Sequence, residues 1–157
     1  MILRDLAPAD LPDCARFFST VFNAAPWNED WSHESSLERL GACAATPNFL
    51  GLVAEDEDGI AALAIGYWQR YQDERHFHLL EFCVANERQG EGIGTRLLEA
   101  LHARLQSDGV DRIYTLTARE TPAQAFYEKR EFYISPKMIL MARRYGSSLP
   151  EKMPPDP

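Results

Sequence analysis

Three glycines fall within five residues, at Gly90, Gly92 and Gly94, and the chain on either side of them changes character. Residues 77–84 before them form an apolar run rich in strand formers, whereas Ile93, Leu97, Leu98, Leu101 and Leu105 after them recur at helical spacing. The glycines therefore fill a turn between a strand and a long amphipathic helix. Glycine admits positive φ and carries no Cβ to hold a ligand away. The first amides of a helix have no intrahelical acceptor, and the helix dipole adds partial positive charge there. Such a turn suits an anion, most naturally a phosphate. Its spacing, G-x-G-x-G, is neither the dinucleotide pattern G-x-G-x-x-G nor a nucleoside triphosphate loop.

A chain of 157 residues suits one domain with a real core. Acidic residues outnumber basic ones, 24 against 16, giving a net charge of −8. That balance repels nucleic-acid phosphates, and no basic cluster interrupts it, so no nucleic-acid partner is expected. It tolerates a cationic small substrate. No apolar run approaches the roughly 20 residues that span a bilayer, so no membrane association is expected either. The three cysteines, Cys14, Cys43 and Cys83, form no C-x-x-C pair, which points away from a disulfide framework or zinc ribbon and toward a reducing cytoplasm.

Taken in order, residues 2–6 read as a short strand, and Pro8-Ala9-Asp10 opens a helix that runs to about Asn23. A second helix signal covers residues 32–45, with a capping-box pattern at Ser35-x-x-Glu38. Between the two helices, Trp27-Asn28-Glu29-Asp30-Trp31 is unusual for a loop. Both rings can plug the core, or Trp27, Glu29 and Trp31 can form an acceptor pocket with aromatic walls and a carboxylate for an amine. Residues 49–55 and 60–71 form strands joined by a turn at Asp58-Gly59. His76, His78 and Glu81 then appear on the apolar strand that precedes the glycines, where a buried charge needs a partner. Alternation places His76 and His78 on one face, but spacing supplies no third ligand, so no metal site is expected. Cys83 reads as a small packed side chain.

Gln89-x-x-Gly92-x-Gly94, followed by Thr95-x-Leu97-Leu98, resembles the coenzyme A pyrophosphate loop of the GCN5-related N-acetyltransferase (GNAT) superfamily. Residues 121–132 resemble that family's second signature, with Ala123, Tyr127 and Phe132 at matching positions. Glu120 stands where asparagine is common, and Glu131 replaces a glycine at the helix end.

The resemblance implies an α/β (α+β) fold with a central, mixed, mostly antiparallel sheet of about seven strands and about four helices. That sheet splays at the strand before the loop. One domain is expected over residues 1–144, with a tail over 145–157; residues 132–135 and 137–143 would be the last two strands. The implied activity is N-acetyl transfer from acetyl-CoA to an amine by direct transfer in a ternary complex, and the loop of residues 27–31 and the acidic balance point to a small cationic acceptor. A protein or peptide acceptor, or a catalytically silent acyl-CoA-binding module, are the alternatives. By resemblance, Phe82, Cys83, Val84, Gln89, Gly90, Glu91, Gly92, Ile93, Gly94, Thr95, Ala123 and Tyr127 hold the coenzyme. Glu81, ahead of His78, is the candidate general base, and Tyr127 would protonate the leaving thiolate. Related enzymes are often dimers, which makes a homodimer an expectation.

Overall fold

The computed structural model describes residues 1–143 and residue 145. They divide into two compact units, Met1–Thr115 and a second that begins at Leu116.

In the first unit the order is β1 (Ile2–Asp5), α1 (Leu11–Asn23), α2 (His33–Ala44), β2 (Phe49–Asp56), β3 (Gly59–Tyr71), β4 (Glu74–Val84), α3 (Ile93–Ser107) and β5 (Arg112–Thr115). The strands form one sheet in sequence order. β1 to β4 pair antiparallel, and β5 runs parallel to β4, as expected when a helix such as α3 makes the return crossing. α1 starts after Pro8–Asp10 and buries Cys14, Ala15, Phe18 and Val21, one stripe at helical spacing. α2 is capped by Ser32, whose hydroxyl accepts the Ser35 amide, while the Ser35 hydroxyl accepts the Ser32 amide. The expected box at Ser35 and Glu38 is thus displaced by one turn: Ser35 occupies the third helical position and cannot also be the cap. Among the described residues no helix is long and apolar enough to cross a membrane.

The side chains of α1 and α2 close over one face of the sheet, where Leu40 and Cys43 join Val53, Leu63, Ile65 and Cys83. α3 packs on β2, β3 and β4, and its buried leucines are outside that cluster, so it covers the opposite face.

The second unit contains α4 (Pro122–Glu128). Thr121 caps it by accepting the Gln124 amide, and proline sits in the first turn, as the sequence predicts. The Gln124 side chain in turn accepts the Glu120 amide at 2.7 Å. Phe132 N–H closes on Tyr127 O at 3.2 Å, which forces Glu131 to φ +65°. A non-glycine residue there costs about 1 kcal/mol, the penalty that its place in the helix-end signature implies. The two closing strands expected beyond α4 are absent: residues 132–143 are in no strand, so the sheet has five strands rather than about seven. Ser135 and Pro136 explain the break, because Ser135 Oγ accepts the amides of Lys137 and Met138 and turns the chain where a ladder would need it straight. The expected tail, residues 145–157, lies outside the described residues except for Tyr145.

One irregularity in the first unit positions everything that follows. β3 pairs with β4 at Ile65↔Glu81 and then at Gly66↔Leu79, so Leu80 is an extra residue, a β-bulge. Leu79 is fully buried outside the α1–α2 cluster, whereas both Leu80 and Cys83 pack with that cluster. The bulge therefore resets which residues face which side. Gly66 permits it: a Cβ there would stand 2.0 Å from His78 O and 2.7 Å from the Phe77 ring. Because both neighbours are backbone or core, Gly66→Ala is expected to cost at least about 1–3 kcal/mol, the usual range for overpacking. Urea unfolding measures this, and an unchanged midpoint and slope would show that Gly66 is not what admits the bulge.

Candidate active site

Strict alternation puts residues an odd number apart, such as His78 and Glu81, on opposite faces of a strand. The bulge at Leu80 removes that separation, and both feel the same cation, Arg39 of α2. Arg39 Nε donates to Glu81 Oε1 at 2.5 Å. The Glu81 side chain is 8% exposed and that of Arg39 40%, so the carboxylate is inside and the guanidinium is at the mouth. Burial raises the pKa of Glu81, and Arg39 opposes that rise. A lone buried carboxylate would be costly; a hydrogen-bonded partner makes it tolerable.

His78 sits between two aromatic rings. It stacks on Tyr114 of β5 at 4.8 Å and meets Tyr67 edge-on at 5.7 Å. Burial, with the Arg39 charge adding to it, lowers its pKa, which favours the neutral imidazole. His76 is engaged elsewhere, bonded to Glu74 and stacked on Tyr71. Among the described residues no three His, Cys, Asp or Glu side chains converge as a metal set would. Cys83 is buried and its pKa is raised well above the usual thiol value, so it stays protonated and packs as a hydrophobe.

The two tryptophans of the loop after α1 divide their work. Trp31 packs edge-on against Phe18 and joins the α1–α2 core, while Asn23 clasps its amide and carbonyl. Its other side meets the Arg39 guanidinium, 5.5 Å from ring centroid to Cζ, and its indole N–H donates to Glu29. Glu29, Trp31, Arg39 and Glu81 thus form one connected set. Trp27 lies against Phe22.

Beyond Leu79 the ladder between β4 and β5 stops, although β4 continues to Val84. Thr115 marks the last rung, its hydroxyl donating to Leu79 O. β5 ends there, so the last part of β4 is paired on one side only, with β3. Past Val84 the chain makes a short turn at Asn86–Arg88 and enters the glycines. Gly90 and Gly92 take φ +88° and +77°, and added Cβ atoms there would meet only open space. Among the described residues no backbone carbonyl accepts an amide of Gly90 to Gly94, while Arg96 N–H bonds to Gly92 O. The turn thus presents a row of amides at a helix N-terminus, as a diphosphate requires. Gln89 braces it by donating to Asn86 Oδ1 at 3.1 Å. Arg88 pairs with Asp56 at 2.6 Å and with Glu91 at 3.2 Å, which offsets the one acidic side chain in the turn.

A model of the Acetyltransferase (GNAT) family matches residues 13–132. The chain belongs to that family. It is an acetyl-CoA-dependent N-acetyltransferase. The chain is 23% identical over 149 residues to an L-methionine sulfoximine/L-methionine sulfone acetyltransferase of Pseudomonas paraeruginosa (strain DSM 24068 / PA7), covering 92% of this chain and 87% of the relative. Two solved structures share its fold. One is an aminoglycoside acetyltransferase from an uncultured soil metagenomic sample in complex with sisomicin, with TM-score 0.71, 20% identity and coverage of 92% and 96%. The other is a transcriptional regulator from Bacillus halodurans C-125, with TM-score 0.73, 18% identity and coverage of 90% and 99%.

In the second unit of this GNAT chain, Tyr127 is buried, with the Phe126 ring at 5.4 Å and the Phe132 ring at 5.0 Å. Ala123 lies one turn earlier on α4. Two residues that sequence reasoning passed over bear on the site, Arg39 and Arg88. Arg39 lies mid-helix beside Glu38, and nothing local marks it as facing a buried carboxylate 42 residues later. The pair has a measurable signature. An NMR titration should place the Glu81 carboxyl above the ordinary glutamate value, since burial outweighs Arg39. In Arg39→Gln it should move further up, because the one opposing charge is gone. A downward move would contradict the assigned balance.

Proposed function

We propose that this enzyme acetylates a small amine, cationic at the reacting nitrogen, by direct transfer within a ternary complex. The observation that carries this reading is the continuity of one strand: β4 bears Glu81 and runs directly into the open amides of the glycine turn. The activities of a relative and a fold neighbour, toward methionine sulfoximine or sulfone and toward aminoglycosides, agree with a small acceptor. Three free, buried cysteines suit a cytoplasmic setting.

Acetyl-CoA supplies an activated acyl group as a thioester. The amides of residues 90–95 hold its diphosphate, with Gln89 and Arg88 keeping the turn in shape, and the backbone of Phe82, Cys83 and Val84 aligns the pantetheine arm. An alkylammonium has a pKa near about 10, so it must lose a proton before it can attack. Glu81 takes that proton, directly or through water, and its raised pKa makes it a better base than an exposed glutamate. His78, kept neutral, is the second candidate for the same role. The free nitrogen bonds to the acyl carbon as the carbon–sulfur bond breaks. A backbone N–H near Cys83 or Val84 steadies the negative charge that builds on the acyl oxygen. Tyr127 gives its hydroxyl proton to the departing sulfur, and solvent returns one to the phenolate. Holding both reactants together supplies most of the acceleration.

A coenzyme A release assay across small amines, aminoglycosides and peptides tests the acceptor class; turnover with peptides alone would contradict it. Tyr127→Phe should reduce kcat by about a hundredfold or more, the scale of general acid catalysis, and leave acetyl-CoA affinity nearly unchanged. Equal losses in both would show that Tyr127 is there for packing with Phe126 and Phe132.

A further inference from the structure

Arg39 is more than a counter-ion. A guanidinium has five N–H donors in a planar fork, and Arg39 directs only Nε to Glu81. Among the described residues its Nη1 and Nη2 have no hydrogen bond. They belong to a side chain that is 40% exposed and that also lies against the Trp31 ring. A cation held on one edge by a buried carboxylate and on one face by an indole is fixed in direction, with its remaining donors available to a ligand. That is how a bidentate carboxylate receptor is built.

Charge balance narrows the ligand further. Glu81 and Arg39 neutralise each other, and the nearby Glu29 is already bonded to the Trp31 indole. A polycation entering here would be repelled by the Arg39 charge and would find one carboxylate, Glu29, whose bond to a neutral indole does not cancel its formal charge. A molecule with one ammonium and one carboxylate on the same carbon fits better, since each charge finds its opposite in a carboxylate–guanidinium pair lying side by side.

We propose that the acceptor is an α-amino acid or close analogue, its carboxylate held by Nη1 and Nη2 of Arg39 while its amine faces Glu81. This rests on the small-amine reading above and narrows it away from polyamines and aminoglycosides. It also gives Trp31 a second task, bracing the guanidinium plane beside the acceptor.

The test is a coenzyme A release assay with the standard L-amino acids and L-methionine sulfone, each paired with its carboxamide, alongside a polyamine and an aminoglycoside. For the best acceptor, the wild type should prefer carboxylate over carboxamide in kcat/KM by about tenfold to a hundredfold, the scale of a charge-assisted contact. That preference should shrink to a few-fold in Arg39→Gln and fall partway in Arg39→Lys, with coenzyme A binding retained in both. A role for Arg39 limited to Glu81 would lower rates for acid and amide alike and leave the preference intact, overturning the proposal. Polyamine or aminoglycoside turnover at or above that of every amino acid would overturn it as well, while the small-amine reading stood. If no small amine at all released coenzyme A, that broader reading would fail and this one with it. The wild-type preference decides the matter even if a variant does not fold.

Discussion

The extra residue at Leu80 is the constraint on which the rest of the first unit depends. A regular β4 would carry His78 and Glu81 on opposite faces, one of them on the side of the α3 leucines and away from Arg39. With the bulge, Glu81 meets α2 and its arginine, and Leu79 stays in the α3 core. The pairing with β5 stops at the same place, so the end of β4 is paired on one side only, with β3, just before the glycine turn. Gly66 makes the geometry affordable, since no larger side chain fits between the His78 carbonyl and the Phe77 ring.

From that point two kinds of electrostatics lie in sequence along one strand. At Glu81 a single formal charge is buried and balanced by a single cation, which leaves the carboxyl near the point where it can exchange a proton. A few residues later the charge is partial and distributed over backbone amides, with Arg88, shared between Asp56 and Glu91, offsetting part of the Glu91 charge beside them. The first arrangement handles a proton and the second an anion, and the strand between them sets their separation.

Much of this was legible in the residues alone. The glycine spacing with Gln89 located the turn and the family, and Thr121-Pro122 located the start of α4, because these are local rules: a turn needs positive φ, and a helix needs a cap. The unfavourable conformation of Glu131 could be anticipated for the same reason. What escaped is non-local. The bulge depends on what lies across from Leu80, and period-two alternation does not register it. Arg39 looks like any solvated helix residue until its partner is known. The last two strands were expected by analogy with the family's sheet, but Ser135 and Pro136 supply a turn in their place. The Ser35-Glu38 box failed because Ser32, three residues earlier, competes for the same role and wins it.

The central claim is that the amides between Gly90 and Gly94, together with the end of β4 beyond Leu79, are the surface that acetyl-CoA covers. Residue-resolved amide hydrogen exchange, measured with and without saturating coenzyme A, tests it most directly. Slowed exchange at Gly90, Glu91, Gly92, Ile93 and Gly94, and along residues 80–84, is the predicted result. Unchanged exchange at those amides, with protection arising elsewhere in the chain, would contradict it.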